Sequence, residues 1–312
     1  MRAGRYAAID IGTVTCRMRV ADVDASGLHE LDREYAITNL GEGVDATGVL
    51  DARAMERVAQ AVAGFQRVLQ RFRTSEHPNV EMHAIATSAA RDARNAGEFA
   101  QLLAAQGVAL EVVPGQREAA LSFGGVSGDF AGEDLMVVDV GGGSTEVVLG
   151  RAGSAPRSSR SCDIGCRRVT EKFFSADPPS DCEVARARAW VRSGMRSFFD
   201  EAAASGFAPS RMVAVAGTAT SVVSVHEGME VYDAARVHKT AVSREVLDAV
   251  CDRLRGCTLA ERQRVAGLDP GRAPVIVAGL VILQEVMDMA GVSAFTVSES
   301  DILHGIILEA AR

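Results

Sequence analysis

Short runs of alternating apolar and polar residues open the chain, and they predict β-strands. Residues 4–39 form three such runs, separated at Gly12-Thr13 and at Ala25-Ser26-Gly27. Residues 51–73 then change to helical spacing, with apolar residues from Met55 to Phe72 on one face. A strand at 80–86, a helix near 95–105 and a strand at 109–113 follow, so the predicted order is βββαβαβ.

A second series of elements begins at Leu135 and repeats the opening hairpin. A strand at 135–139, a turn at 140–144 and a strand at 145–150 precede a third strand near 157–162. The remaining predicted elements are a helix at 181–204, a strand at 211–216, helices near 244–255 and 273–289, a strand at 295–297 and a helix from residue 300.

The two hairpins share a pattern of residues as well as of elements. Asp10-Ile-Gly12 and Asp139-Val-Gly141 each end an apolar strand and precede a turn of small residues. A charged residue follows seven positions after each aspartate, Arg17 in one copy and Glu146 in the other. The repeat predicts two like domains that face each other across a cleft, with both turns directed into it. Two unrelated hairpins are the alternative.

Length and composition favour a two-domain protein without a membrane anchor. A chain of 312 residues exceeds the usual size of a single core. No run of about 18 apolar residues is present, and no secretory apolar region follows the N-terminus, so a cytoplasmic location is expected. The six cysteines lack zinc-site pairs and are expected to be reduced and mostly buried. A net charge of −8 argues against general nucleic-acid binding.

One segment reverses the overall negative charge. Residues 151–172 contain six basic and two acidic residues, which gives a local charge of +4. Such a run is either a solvated face or a docking surface for a polyanion. The basic residues are Arg151, Arg157, Arg160, Arg167, Arg168 and Lys172.

The glycine-rich turn at 141–145 has the composition of a phosphate-binding loop. Gly141-Gly142-Gly143-Ser144-Thr145 offers consecutive amides without Cβ obstruction, and two hydroxyl groups. A strand-end aspartate such as Asp139 can hold Mg²⁺, which neutralises phosphate. A strand rather than a helix follows the glycines, so a dinucleotide fold is excluded, and no Gly-x-x-x-x-Gly-Lys-Ser/Thr loop is present.

Glu118 lies where a strand gives way to a short helix that leads toward the second domain. A carboxylate at such a crossover can reach the cleft and activate water as a general base. A glutamate in a first helical turn is also a common surface residue that complements the helix dipole. The residues alone leave both possibilities open.

Seven ordered motifs resemble the exopolyphosphatase/guanosine pentaphosphatase (Ppx/GppA) family over nearly the whole chain. They are Ala8-Ile-Asp-Ile-Gly-Thr with Arg17, residues 86–95 with Arg91, Gly115-Gln-Arg-Glu118-Ala, residues 138–146, Ile164-Gly-Cys-Arg-Arg-Val-Thr170, Ala216-Gly-Thr-Ala-Thr220, and residues 297–305. The resemblance implies an α/β fold of duplicated actin-like, ribonuclease H-like domains around an inter-domain cleft, as in the sugar kinase, heat-shock chaperone and actin superfamily. The expected domains are 1–123 and 124–298, and the helix at about 299–312 is expected to pack back on the first.

The resemblance also assigns roles to matching residues. It implies that Glu118 is the catalytic base and Glu146 a second catalytic carboxylate. Arg17 and Arg91 match arginines that contact phosphate, for which their planar donor forks are suited, and Arg17 is also a predicted catalytic residue. Asp139 matches a metal-associated residue, and Asp10 is the other predicted metal ligand. The predicted phosphate-binding residues are Gly12, Thr13, Arg91, Gly141, Gly142, Gly143, Ser144, Thr145 and Gly217.

Three positions depart from the family pattern. Val14 stands where asparagine is frequent, Arg117 where glutamate is frequent and His304 where arginine is common. Long members of the family carry an additional helical C-terminal region that grips long polymers. The short form of this chain therefore places processive action on long chains in question.

The resemblance predicts a magnesium- or manganese-dependent exopolyphosphatase that removes terminal phosphates from polyphosphate. Guanosine pentaphosphate 5′-phosphohydrolase activity is the alternative, and a non-catalytic polyphosphate or alarmone sensor is a further one. Neither nucleic acid nor a membrane is an expected partner. A homodimer is compatible with the resemblance, although no motif locates its interface.

Overall fold

The computed structural model describes residues 1–312 and divides the chain into two compact units. The first unit comprises Met1–Gly128 and Ser300–Arg312, and the second comprises Asp129–Glu299. The domain limits predicted from the sequence stay predictions.

A five-stranded mixed sheet forms the first unit, in the order β3-β2-β1-β4-β5. The pairs β1–β2 and β2–β3 are antiparallel, whereas the pairs β1–β4 and β4–β5 are parallel. The strands are β1 (Gly4–Ile11), β2 (Thr15–Asp24), β3 (Gly27–Ile37), β4 (Glu81–Ala86) and β5 (Leu110–Val112).

Five helices connect these strands or follow them. Asp51 caps the longest, α2, because its side chain accepts hydrogen bonds from the amides of Arg53 and Ala54. The helices are α1 (Val44–Thr47), α2 (Ala52–Leu69), α3 (Ser88–Asp92), α4 (Ala96–Ala104) and α5 (Gly115–Ser127). Short 3₁₀ turns lie at Gln70–Phe72 and Gly128–Phe130.

The second unit repeats the topology of the first. Its six-stranded sheet has the order β10-β11-β9-β6-β7-β8. The segment β8-β7-β6-β9-β11 matches β3-β2-β1-β4-β5 in order and in strand direction, and β10 adds an antiparallel edge. The strands are β6 (Asp134–Val140), β7 (Thr145–Arg151), β8 (Ser158–Cys162), β9 (Arg211–Val215), β10 (Ala241–Ser243) and β11 (Ala294–Val297). The predicted α/β fold with a duplicated domain topology is confirmed.

Seven helices complete the second unit. Helix α12 is apolar nearly all round and almost entirely buried, as expected for a helix inside a unit. The helices are α6 (Cys166–Phe173), α7 (Asp181–Ala204), α8 (Ala216–His226), α9 (Ala234–Val237), α10 (Arg244–Arg255), α11 (Leu259–Arg262) and α12 (Ile276–Ala290). None of the protein's helices combines the length and apolarity needed to cross a membrane.

The last helix, α13 (Ile302–Ala310), belongs to the first unit and packs closely on α5. A Cβ atom on Gly125 would lie 1.9 Å from the carbonyl oxygen of Asp301, and one on Gly305 would lie 1.9 Å from that of Leu121. Only glycine permits this approach, so two glycines fix the position of Asp301 relative to α5.

Strand β1 distributes its side chains between two apolar clusters, one on each face of the sheet. Ala7, Ile9 and Ile11 join the cluster that includes α2 and α4. Tyr6 and Ala8 join the cluster that includes residues of α5 and α13. Because strand side chains alternate, Asp10 follows Ala8 onto the face covered by α5 and α13.

Candidate active site

Asp10 and Arg17 form a buried ion pair in the first unit. They are cross-strand partners in β1 and β2, which directs their side chains to the same face of the sheet. Arg17 Nη2 lies 2.6 Å from Asp10 Oδ2, and Arg17 Nη1 donates to Asp301, the residue that caps α13. The guanidinium of Arg17 is thus held by two buried carboxylates. The exposed fraction is 5% for Asp10 and 4% for Asp301.

The two carboxylates respond differently to this environment. Burial raises the pKa of Asp10 above its usual value, although Arg17 opposes the shift. Burial acts in the same direction on Asp301, but Arg17, Arg19, His304 and the amide of Leu303 outweigh it and hold the pKa of Asp301 below its usual value. Asp301 therefore stays ionised to lower pH than Asp10 does.

Three of the carbonyl groups in the turn at Gly12–Thr15 accept hydrogen bonds, and two of its amides are available. Gly12 N donates to Thr15 O at 2.8 Å and closes the turn. The carbonyl of Thr13 accepts from the amide of Gly41, and that of Val14 accepts from two further amides, at 2.9–3.0 Å. No hydrogen bond within the protein uses the amides of Thr13 or Val14. These two N–H groups can bind an anion.

Glu118 and Arg91 meet at the same sheet edge. Arg91 lies on α3, which begins after β4, and Glu118 lies in the first turn of α5, after β5. Arg91 Nη1 lies 3.0 Å from Glu118 Oε2 and 3.1 Å from the carbonyl oxygen of Val113. Glu118 is buried, with 7% of its surface exposed, so it is not the solvated surface residue of the alternative interpretation. The carboxyl ends of β1, β4 and β5 thus bring the predicted site residues of the first unit to one edge of the sheet. These residues are Asp10, Gly12, Thr13, Arg17, Arg91 and Glu118.

Asp139 and Glu146 are cross-strand partners in the second unit. They flank the glycine turn between β6 and β7, and both are buried. Glu146 accepts a hydrogen bond from Ser161 Oγ at 2.6 Å. Two carboxylates therefore lie side by side at the base of the turn, in the register that Asp10 and Arg17 occupy in the first unit.

The glycine turn repeats the hydrogen bonding of the first-unit turn. Gly141 N donates to Ser144 O at 3.0 Å. The amides of Cys166 and Arg167, at the start of α6, donate to the carbonyls of Gly141 and Gly142 at 2.9 Å. The amides of residues 142, 143 and 144 make no hydrogen bond within the protein. Helix α6 thus occupies the carbonyl side of the turn while three consecutive amides stay available.

Gly165 allows α6 to approach the turn this closely. A Cβ atom at this position would lie 2.3 Å from the carbonyl carbon of Gly142 and 2.4 Å from the amide nitrogen of Gly143. The hydroxyl of Thr145 donates to Ile164 O at 2.5 Å, so it supports the turn from the same side. The hydroxyl of Ser144 has no such partner.

Gly217 lies in a third turn of the second unit, where α8 begins after β9. Ala216 has a positive φ of 63°, and the hydroxyl of Thr218 donates to Val140 O at 3.2 Å. A Cβ atom on Gly217 would lie 1.5 Å from Arg272 Nη1, so the guanidinium rests directly on this backbone. Arg272 was not predicted from the sequence, because it stands in a loop outside any periodic pattern.

The carboxylates of the second unit suit a metal ion that is bound jointly by the protein and by a phosphate group of the substrate. No group of three or more histidine, cysteine, aspartate or glutamate side chains in the protein could hold a metal by itself. Asp139 and Glu146 do supply neighbouring carboxylates beside the available amides. Mg²⁺ is commonly bound by one or two carboxylates together with substrate phosphates. Asp10 differs, because its carboxylate is already engaged by Arg17.

Comparison with known proteins identifies the family of this chain. Residues 19–312 match the model of the Ppx/GppA phosphatase family. The chain is 40% identical over 331 aligned residues to a Mycobacterium tuberculosis protein named exopolyphosphatase 2, with 100% of both chains covered. A solved exopolyphosphatase-like protein is 34% identical with a TM-score of 0.88, over 99% of this chain and 98% of that one. The Aquifex aeolicus Ppx/GppA family member is 26% identical with a TM-score of 0.80, over 99% and 97%. The chain therefore belongs to the Ppx/GppA phosphatase family.

Proposed function

We propose that this protein is an exopolyphosphatase that releases terminal orthophosphate from inorganic polyphosphate by attack of water. The three available amides at residues 142–144 carry the proposal, since a row of backbone donors flanked by carboxylates suits phosphate oxygens and an accompanying cation. The 40% identical relative named exopolyphosphatase 2 supports polyphosphate as the substrate.

The terminal phosphoryl group is bound by backbone donors and arginines. The amides of Gly142, Gly143 and Ser144 bind phosphate oxygens, and those of Thr13 and Val14 offer an equivalent set. Arg17 and Arg91 add charge-assisted donors. Each guanidinium is already oriented by a carboxylate, which reduces the entropy lost when phosphate binds.

Glu118 activates the attacking water. The Arg91 contact and burial fix its carboxylate, and a positioned carboxylate can accept the water proton as the bond to phosphorus forms. Glu146, held by Ser161, is the second carboxylate and helps to orient the reacting groups. Charge spreads over the equatorial oxygens in a loose transition state, so positioning and electrostatics supply most of the acceleration.

Asp139 would hold Mg²⁺ or Mn²⁺, with Glu146 beside it. Asp10, the other predicted ligand, is paired with Arg17. When bound, the ion neutralises phosphate charge. The protein's own residues orient the phosphate and the water and accept the proton.

Orthophosphate release tests the proposal directly. Long polyphosphate, tripolyphosphate, guanosine pentaphosphate and ATP are each incubated with the protein, with Mg²⁺ and with chelator. Release from polyphosphate that stops with chelator is the expected result. Preferential release from guanosine pentaphosphate would favour the nucleotide phosphohydrolase, and tight polyphosphate binding without release would identify a sensor.

A further inference from the structure

The basic segment at 151–172 does not form one continuous surface. Arg151 pairs with Asp134 at 3.4 Å, and Arg160 pairs with Glu201 at 3.0 Å. Arg157 donates to the carbonyl of Ser205 and lies over the ring of Phe207. These three arginines are engaged by other residues of the second unit, so they do not extend the phosphate turn.

Helix α6 carries the rest of the segment. Arg167 is buried and pairs with Glu171 at 3.3 Å. Arg168 and Lys172 lie one turn apart on the same face, about 6 Å along the axis. Arg168 Nε donates to Gly143 O at 3.1 Å, which places this side chain against the glycine turn. The two residues therefore lead away from the turn along α6.

Trp190 continues this surface onto α7. Lys172 Nζ lies 4.9 Å from the centre of the Trp190 ring, and Phe173 packs against the same ring at 5.6 Å. Lys172 is exposed and forms no ion pair with a carboxylate. Arg186, one turn before Trp190 on α7, is also exposed and makes no ion pair or hydrogen bond. Lys172 thus lies over the ring of Trp190, and Arg186 lies one helical turn from Trp190 on α7.

We propose that Arg168, Lys172 and Arg186, arranged beside Trp190, form a distal subsite for the part of a polyphosphate chain beyond its reacting end. The inference rests on the proposed function and adds a chain-length preference to it. A polyanion with a charge on every unit gains from several cations in series, whereas a nucleotide offers no equivalent chain. The protein's overall charge of −8 repels such a ligand elsewhere, which makes this local positive surface selective.

Exposure sets the expected strength of the subsite. A solvent-exposed ion pair contributes little by itself, so each cation should alter affinity by about two- to fivefold. Contacts of this kind weaken with added salt, because they are screened by counterions. The subsite should therefore act as a salt-sensitive grip on long chains rather than as a tight anchor.

Trp190 is the chain's single tryptophan and reports on this surface. Its fluorescence is followed while wild-type protein is titrated with long polyphosphate or tripolyphosphate, in chelator and with orthophosphate release monitored. Long polyphosphate should change the signal. Lys172→Ala and Arg186→Ala should each weaken its binding about two- to fivefold. The double variant should show about the product of the two effects. The loss should be smaller for tripolyphosphate.

Lys239→Ala is the matched control, because Lys239 is the chain's other lysine and pairs with Asp129 at 3.2 Å. It should bind long polyphosphate like the wild type. The subsite is refuted if saturating polyphosphate leaves Trp190 fluorescence unchanged, or if Lys172→Ala and Arg186→Ala match Lys239→Ala. Intact binding without phosphate release under Mg²⁺ would instead refute the proposed function and leave the subsite standing.

Discussion

Arg91 joins the carboxylate of Glu118, the proposed base, to the backbone that precedes it. Its Nη1 lies 3.0 Å from Glu118 Oε2 and 3.1 Å from the carbonyl oxygen of Val113, so one guanidinium contacts both the start of α5 and the strand before it. The contact therefore fixes the position of the Glu118 carboxylate relative to the strand before α5.

Replacing Glu118 by glutamine should remove the base while keeping the shape of the side chain. An amide cannot accept the water proton, so the rate of phosphate release should fall roughly 10²–10⁴-fold. Stopped assays of orthophosphate from polyphosphate measure this change. Glu98→Gln, at an exposed position in the first turn of α4, is the control and should retain the parent rate. A Glu118→Gln rate within a few-fold of the parent would exclude Glu118 as the base.

Gly165→Ala should impair phosphate binding through the glycine turn. The new methyl group would lie 2.3 Å from the carbonyl carbon of Gly142, so either the turn or the start of α6 must move. Because the amides at 142–144 share that backbone, we expect weaker substrate binding and a lower rate. Misplacement by about 1 Å can cost on the order of 10²-fold in rate.

Gly97→Ala controls for the general effect of adding a methyl group. Gly97 lies in α4, a Cβ atom added there would have no neighbouring atom within 4 Å, and alanine is a better helix former by about 1 kcal/mol. Its kinetics should match those of the parent. If Gly165→Ala and Gly97→Ala had equal kinetics, displacement of the glycine turn would not affect the reaction. That result would contradict the proposal that the amides at 142–144 bind phosphate.

The duplicated hairpins were predictable because their signals are local. Apolar strands that end in Asp10 and Asp139, each followed by small residues, specify a strand, a tight turn and a second strand without reference to the rest of the chain. The predicted positions of α2, α7 and α10 are likewise confirmed, since each has an apolar face or a capping residue. Local patterning was sufficient for these elements.

Helices α6 and α8 were missed because tertiary contacts determine them. The sequence Cys166–Phe173 has few apolar residues, and the carbonyls of the glycine turn satisfy its first amides. Helix α8 is rich in valine and threonine, which favour strands, and it begins at a positive φ. Likewise, no periodicity could reveal that Asp301 pairs with Arg17 across 284 positions.

Two substitutions at Asp301 should separate its ion pair from its helix cap. Asp301→Asn keeps an oxygen that can accept from Leu303 N but removes the charge that holds Arg17. Hydrogen bonds to charged groups contribute about 1.5–3 kcal/mol, so the free energy of unfolding should fall by that order. Asp301→Ala also loses the cap and should cost about 1 kcal/mol more.

Urea unfolding measures both effects, and steady-state kinetics show whether Arg17 has been displaced. If Arg17 contacts phosphate, Asp301→Asn should also raise KM or lower kcat for polyphosphate. Identical unfolding free energies for the asparagine variant and the parent would show that the contact between Arg17 and Asp301 does not stabilise the fold. Asp10, which still pairs with Arg17, is expected to limit the loss.

Glu183 should make the free energy of unfolding depend on pH. Its buried carboxylate accepts hydrogen bonds from the hydroxyls and amides of Ser175 and Ser180 and from the amide of Ala176, at 2.6–3.1 Å. These bonds, led by that from the Ser175 hydroxyl, lower the pKa of Glu183 well below its usual value. The unfolded chain therefore binds this proton more readily than the folded protein does. The resulting stabilisation is complete above the unfolded pKa, about 4.3, and is lost as pH falls toward the folded pKa.

Glu183→Gln should therefore lower the melting temperature near neutral pH, and the difference from the parent should shrink on acidification below about pH 4. Thermal unfolding of both proteins across that range measures the trend. Glu230→Gln is the control, since Glu230 is exposed and makes no hydrogen bond, and its difference from the parent should show no comparable change. In acid, only the parent has a carboxylate at position 183 that becomes protonated and loses its stabilising hydrogen bonds. A difference in melting temperature between Glu183→Gln and the parent that stays constant or grows in acid would therefore contradict the assigned hydrogen bonds.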